Sequence, residues 1–181
     1  MLMRLLVLYA RSRGLLVAFV VMVAATIGAW ALDDSSVQIL LLILGMGGTV
    51  ASVGLGSSDL QLDRTGALPW PLWRGAHLVV AAAVVSGLIT AIQIWDAGMI
   101  LRGAVGLVGL TGLTAAILGS QLAWTLPAAW AAVCVVTGPT DNKVLTWLVQ
   151  SPESTGALLT ATALGVAGVA TYAIRGPRGI S

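Results

Sequence analysis

Charge is scarce in this sequence of 181 residues: nine basic and seven acidic side chains make up 9% of it, against about a quarter in soluble domains. A soluble enzyme surface cannot be built from so few. The net charge of +2 is small and scattered, which excludes a nucleic-acid footprint. The single cysteine, Cys134, allows neither an intrachain disulfide nor a multi-cysteine metal site, and reads as a small buried hydrophobe. The single histidine, His77, has no second histidine, nearby cysteine or acid at helical spacing, and reads as an interfacial side chain rather than a ligand. Gly54-Leu55-Gly56-Ser57 lacks the second flanking glycine of a nucleophile elbow, and no phosphate-binding glycine loop is present. With no catalytic or metal constellation, the chain is not read as an enzyme and is expected to hold no cofactor of its own.

What the chain has instead is apolar length. Its composition is 58% hydrophobic and its mean hydropathy is +0.98. About 20 apolar residues make one membrane-spanning helix, and the hydropathy pattern yields six: 14–32, 37–55, 77–95, 99–119, 122–137 and 155–174. A backbone in lipid must satisfy its own hydrogen bonds, so all six are expected to be helices. The predicted fold is an all-α membrane protein, one transmembrane domain over 1–181. The short fifth span carries Pro127 and is expected to kink, to be supplemented by flanking residues, or to be the least regular of the six. Before the first span, Met1 to Arg13 sets Arg4, Arg11 and Arg13 among leucines, the pattern of an N-terminal interfacial helix. Its basic start, with Ala29-Trp30-Ala31, also has the form of a signal peptide and cleavage site.

Orientation follows from the distribution of lysine and arginine, which favour the cytoplasmic side. Arg4, Arg11, Arg13, Arg64, Arg74, Arg175 and Arg178 fall on one side; Arg102 and Lys143 fall on the other. Both termini are therefore predicted to be cytoplasmic. Trp70, Trp73, Arg74, Trp95 and Trp147 are expected to anchor at the membrane interfaces. Asp96 and Arg102 lie close enough to pair, although the preferred reading places Asp96 in water and lets Arg102 snorkel to the outer head groups. Small residues mark packing faces: Gly48, Ser52 and Gly56 in the second span, and Gly103, Gly106, Gly109 and Gly112 in the fourth.

Two polar intervals stand out. Gly56 to His77 combines two acids, two arginines, two prolines and two tryptophans between apolar runs. Within it, Asp59 to Thr65 forms a short amphipathic turn bearing Leu60 and Leu62 beside Asp63 and Arg64, and Pro69 and Pro71 are expected to break it. Between the last two spans, Val144 to Val149 is apolar and too short to cross, and is expected to lie in the outer interface as a small extracellular helix.

Leu62-Asp63-Arg64-Thr65, followed by Pro69 to Arg74 and Ala76-His77-Leu78, resembles the loop of ABC-2 type ABC transporter permeases, the membrane subunits of small bacterial exporters. The resemblance implies cytoplasmic termini, an N-terminal interfacial helix, six spans, a cytoplasmic coupling helix between the second and third, and a short extracellular helix between the last two. It further implies that Leu60, Leu62, Asp63, Arg64 and Thr65 dock on a cytoplasmic ABC ATPase subunit. ATP and Mg would be bound, and ATP hydrolysed, on that partner. A second permease half, from a homodimer or a related subunit, would complete the assembly in the bacterial cell membrane. The function so implied is export of a hydrophobic or amphipathic substrate by alternating access. The competing expectation is a non-transporting multi-pass membrane scaffold or assembly subunit.

Overall fold

The computed structural model of the chain describes residues 15–32, 36–53, 55 and 70–177. They are helical, and no strand occurs among them. The helices are α1 (Leu15–Leu32), α2 (Val37–Ser52), α3 (Trp70–Ala91), α4 (Ala97–Leu118), α5 (Thr125–Thr137) and α6 (Thr155–Arg175), with a single 3-10 turn at Ser120–Leu122 before α5. Four stretches are long and apolar enough to cross a membrane: Pro71–Ala91, Ala97–Leu118, Ser120–Thr137 and Thr155–Arg175. Leu16–Leu32 and Val37–Ser52 are apolar but shorter. This is the build of a multi-pass membrane protein. The predicted interfacial helix at Met1–Arg13 lies outside the described residues.

The helix limits correct the sequence reading at the third span. The third span was expected over 77–95, but α3 begins at Trp70 and ends at Ala91. Pro71 therefore sits in the first helical turn, where a missing N–H costs nothing and a fixed φ favours the helix, so it starts α3; the Asp59–Thr65 turn that it is expected to end lies outside the described residues. Gln93, at φ 55°, turns the backbone out of α3. Asp96 then caps α4, its Oδ1 accepting from Met99 N at 3.0 Å. Pro127 falls in the first turn of α5, where it removes no helical hydrogen bond; the irregular course expected of the fifth span lies just ahead of it, where a 3-10 turn at Ser120–Leu122 and a turn at 123–124 supplement the short helix.

Helix α4 runs through the middle of the bundle and is buried along most of its length. Along α4, α2 and α6 run parallel to it. Gly103 meets Leu44 of α2, and farther along Thr111 Oγ1 shares its hydrogen between the carbonyls of Leu107, at 2.9 Å, and Gly48, at 3.1 Å. On the α6 side, Gly109 lies against Gly165, and Gly112 against Gly168. A Cβ at Gly109 or Gly168 would overlap the backbone of the opposite helix. Such close approach supplies dispersion contacts that a lipid environment cannot supply by hydrophobic drive. Helix α3 lies across α4 and α6 through Leu78 against Gly112 and Gly75 against Val169, while α5 meets α2 through Ala131 against Gly45 and Pro127 against Gly48. The main core cluster joins Met22, Leu40, Leu44, Ile89, Ile100 and Trp147, with a second around Leu55, Leu78 and Tyr172.

Candidate functional site

Three features at different depths of the bundle carry its polar chemistry and its empty volume. The first is the segment between α5 and α6. Gly138, at φ 63°, ends α5, and residues 143–149 form consecutive turns rather than the expected interfacial helix. Asn142 Oδ1 accepts from Val144 N at 3.2 Å and Leu145 N at 3.1 Å, and Gln150 Nε2 donates to Thr140 O and Thr146 Oγ1, each at 2.8 Å. These bonds fold the segment on itself and turn Thr146, Trp147 and Leu148 inward.

Trp147 is completely buried and is not an interfacial anchor. Its six-membered ring lies over Gly106, and Leu148 Cδ2 reaches Gly103 beside Leu44. Gly106 thus makes room for a plug at one end of the bundle. The plug is fastened by Arg102, which is 3% exposed. Its Nη1 donates to Ser151 O at 2.8 Å and its Nη2 to Gln150 O. The expected snorkelling of Arg102 is therefore incorrect. A guanidinium carries several donors in a planar fork, and two backbone carbonyls one residue apart satisfy part of that fork inside the bundle.

At the opposite end, Tyr172 Oη donates to Leu55 O at 2.8 Å, fixing the chain just beyond α2 to α6. There Gly176, at φ 69°, ends α6, and a Cβ on it would come within 2.7 Å of Arg74 Nη1. The Arg74 guanidinium therefore packs beside the last carbonyls of α6, where the helix dipole favours a cation. Residues 56–69 leave from one of these contacts and return at the other. Leu60, Leu62, Asp63, Arg64, Thr65 and Gly56 lie outside the described residues. Trp70 opens α3, Trp73 is exposed on its first turn, and Trp95 is half-buried against the main core from the connection before α4.

The third feature is a cavity of about 280 Å³ between α1, α2 and α3, walled by Phe19 and Met22, by Val50 and Ala51, and by His77 and Ala81. Phe19, together with Val80 and Val84 of α3, both lines the cavity and is exposed, so the cavity opens between α1 and α3. Met22 and Val85 close its floor. His77, whose Nε2 is buried, lies toward the Tyr172 end. Comparison with protein-family models, curated proteins and solved structures finds no match. Among the described residues, no three of His, Cys, Asp and Glu come together as a metal site.

Sequence reasoning missed Tyr172, the burial of Trp147 and the fastening role of Arg102. It also missed the packing face of α6, for which a signal was present: Gly165 and Gly168 repeat in α6 the three-residue spacing of Gly109 and Gly112 in α4. Ser52, placed on a packing face by its spacing, donates to its own helix at Thr49 O, 2.6 Å away.

Proposed function

We propose that the chain is the membrane-spanning permease subunit of an ATP-driven exporter of the ABC-2 type, moving a hydrophobic or amphipathic substrate by alternating access. The observation that carries this reading is the position of the apolar cavity. Two of its three walls belong to the helices that the 56–69 connection joins, so force on that connection would bear on the cavity at Val50, Ala51 and His77. Tight α4–α6 packing supplies a firm side for the bundle, against which α1 to α3 would move.

In this reading all six helices cross a bacterial cell membrane, with Arg74, Arg175 and both termini on the cytoplasmic side and the Trp147 plug outside. Leu60 to Thr65 dock on an ABC ATPase subunit that binds ATP and Mg. A second permease half and a second ATPase complete the transporter.

The test is co-purification of the tagged chain from its native membrane in mild detergent, with mass spectrometry of what remains bound. Recovery of an ABC ATPase, and its loss from a chain carrying Asp63→Ala with Arg64→Ala, is the expected result. Recovery of membrane proteins alone with an intact chain would replace the permease by a scaffold.

A further inference from the structure

The α1–α3 cavity has a polarity along its length. Its walls are aliphatic and aromatic, its floor is closed by Met22 and Val85, and among the described residues His77 is its one polar wall residue. Arg74 precedes His77 by three positions on α3, and its guanidinium, packed beside Gly176 at the end of α6, stands beyond the His77 end of the cavity rather than in its wall. Arg175 lies in the last turn of α6 at the same end. The cavity is thus apolar over its depth and basic beyond one end.

Its mouth is bordered by Phe19 and Val80, which are 47% and 59% exposed. In a bilayer such a mouth meets hydrocarbon, and an apolar cavity of this kind does not attract water. A volume of 280 Å³ is about twice that of an engineered apolar cavity that holds one benzene. It is enough for part of one alkyl chain, but not for two side by side.

We propose that this cavity binds the tail of a single-chain anionic amphiphile, entering between α1 and α3, with its head group at the His77 and Arg74 end. Against bilayer hydrocarbon the tail gains no hydrophobic transfer energy, so the cavity holds it through packing contact with its walls. The basic end sets the direction of insertion and selects an anionic head over a neutral or cationic one. This names a ligand class for the cavity on which the exporter reading rests, but its test needs no ATPase, so the two ideas fail separately.

The experiment uses the purified full-length chain in nanodiscs of a neutral phospholipid, labelled with hexadecyl phosphate bearing a diazirine near the chain end. Labelled residues are mapped by mass spectrometry. Labelling is expected on the α1 and α3 residues that line the cavity, and to saturate on competition with unmodified hexadecyl phosphate. Ala81→Phe fills the cavity, and Val84→Trp obstructs its mouth from a position that is already part-exposed. Each variant is expected to abolish the saturable part of the labelling at the cavity residues, because it removes the space and the wall contacts that distinguish the cavity from the surrounding lipid.

Arg74→Gln with His77→Gln is expected to weaken the phosphate probe while leaving a matched alcohol probe unchanged. The proposal is overturned if labelling does not saturate, extends equally to exposed residues of α5 and α6 such as Val136 and Val166, and survives Val84→Trp in a chain that remains monodisperse. That outcome is general contact with bilayer lipid. Equal labelling by phosphate and alcohol probes would overturn the assignment of the head group.

Discussion

Trp147 lies with its six-membered ring on the backbone of Gly106, so a methyl group added to that glycine would occupy the same space. Gly106→Ala is expected to destabilise the chain by about 1–3 kcal/mol, because the ring is enclosed and cannot move aside without disturbing Leu148 and Arg102. Adding Trp147→Leu should recover part of that loss by removing the overlap. The thermal midpoint in mild detergent measures both effects, and a double variant no more stable than the sum of the single losses would show that the contact is not what excludes a side chain.

Arg102 donates to two carbonyls of the plug, and hydrogen bonds to a charged group are worth about 1.5–3 kcal/mol each. Arg102→Met keeps much of the volume and removes the desolvated charge, a relief that competes with losing two donors. Loss should win, since the two carbonyls remain without their donor. Hydrogen exchange of the 144–150 amides should quicken in Arg102→Met and less so in Arg102→Lys. Unchanged exchange in the methionine variant would mean that Trp147 alone holds the plug.

Tyr172→Phe removes one hydrogen bond and almost no volume. The expected cost is about 0.6 kcal/mol, the typical worth of such a bond between membrane helices. Its local effect should be larger than its global one, because the Leu55 carbonyl then loses its attachment to α6. Protease cutting between residues 55 and 70 is the measurement. Faster cutting in Tyr172→Phe, at nearly unchanged thermal midpoint, is the expected pattern.

Glycines in this bundle are not equivalent. Gly168→Ala would drive a Cβ into the Gly109 carbonyl and should prevent α4 and α6 from packing, seen as loss of monodisperse protein. Gly87, on α3, faces open space, and Gly87→Ala should raise stability by about 0.5–1 kcal/mol through the helical preference of alanine. Equal effects of the two substitutions would show that backbone preference rather than close approach governs the α4–α6 contact.

The existence of the helices was legible because twenty-residue apolar runs have few other solutions, and most limits fell within a few residues. The exception was α3, which begins at Trp70 rather than at 77: a proline such as Pro71 starts a helix when it falls in the first turn, and where that turn falls is decided by where the neighbouring chain docks. The small-residue positions were legible as candidates, but Gly103, Gly106, Gly109 and Gly112 proved to face four different neighbours: an α2 leucine, a plug tryptophan, α6 and an α3 leucine. Three-residue spacing does not distinguish them, because it rotates slowly around the helix and states no partner.

By itself, then, the sequence determined that this chain is helical and apolar enough to cross a membrane, since hydropathy and length act locally and need no knowledge of neighbours. Tertiary structure alone decided the fate of Arg102 and Trp147. Both look like interface residues by chemistry. Whether a long polar side chain reaches for head groups or turns inward depends on the donors, acceptors and space that distant segments bring to it. Here the carbonyls of Gln150 and Ser151 and the bare face of Gly106, some 40 to 50 positions away in the chain, supply them.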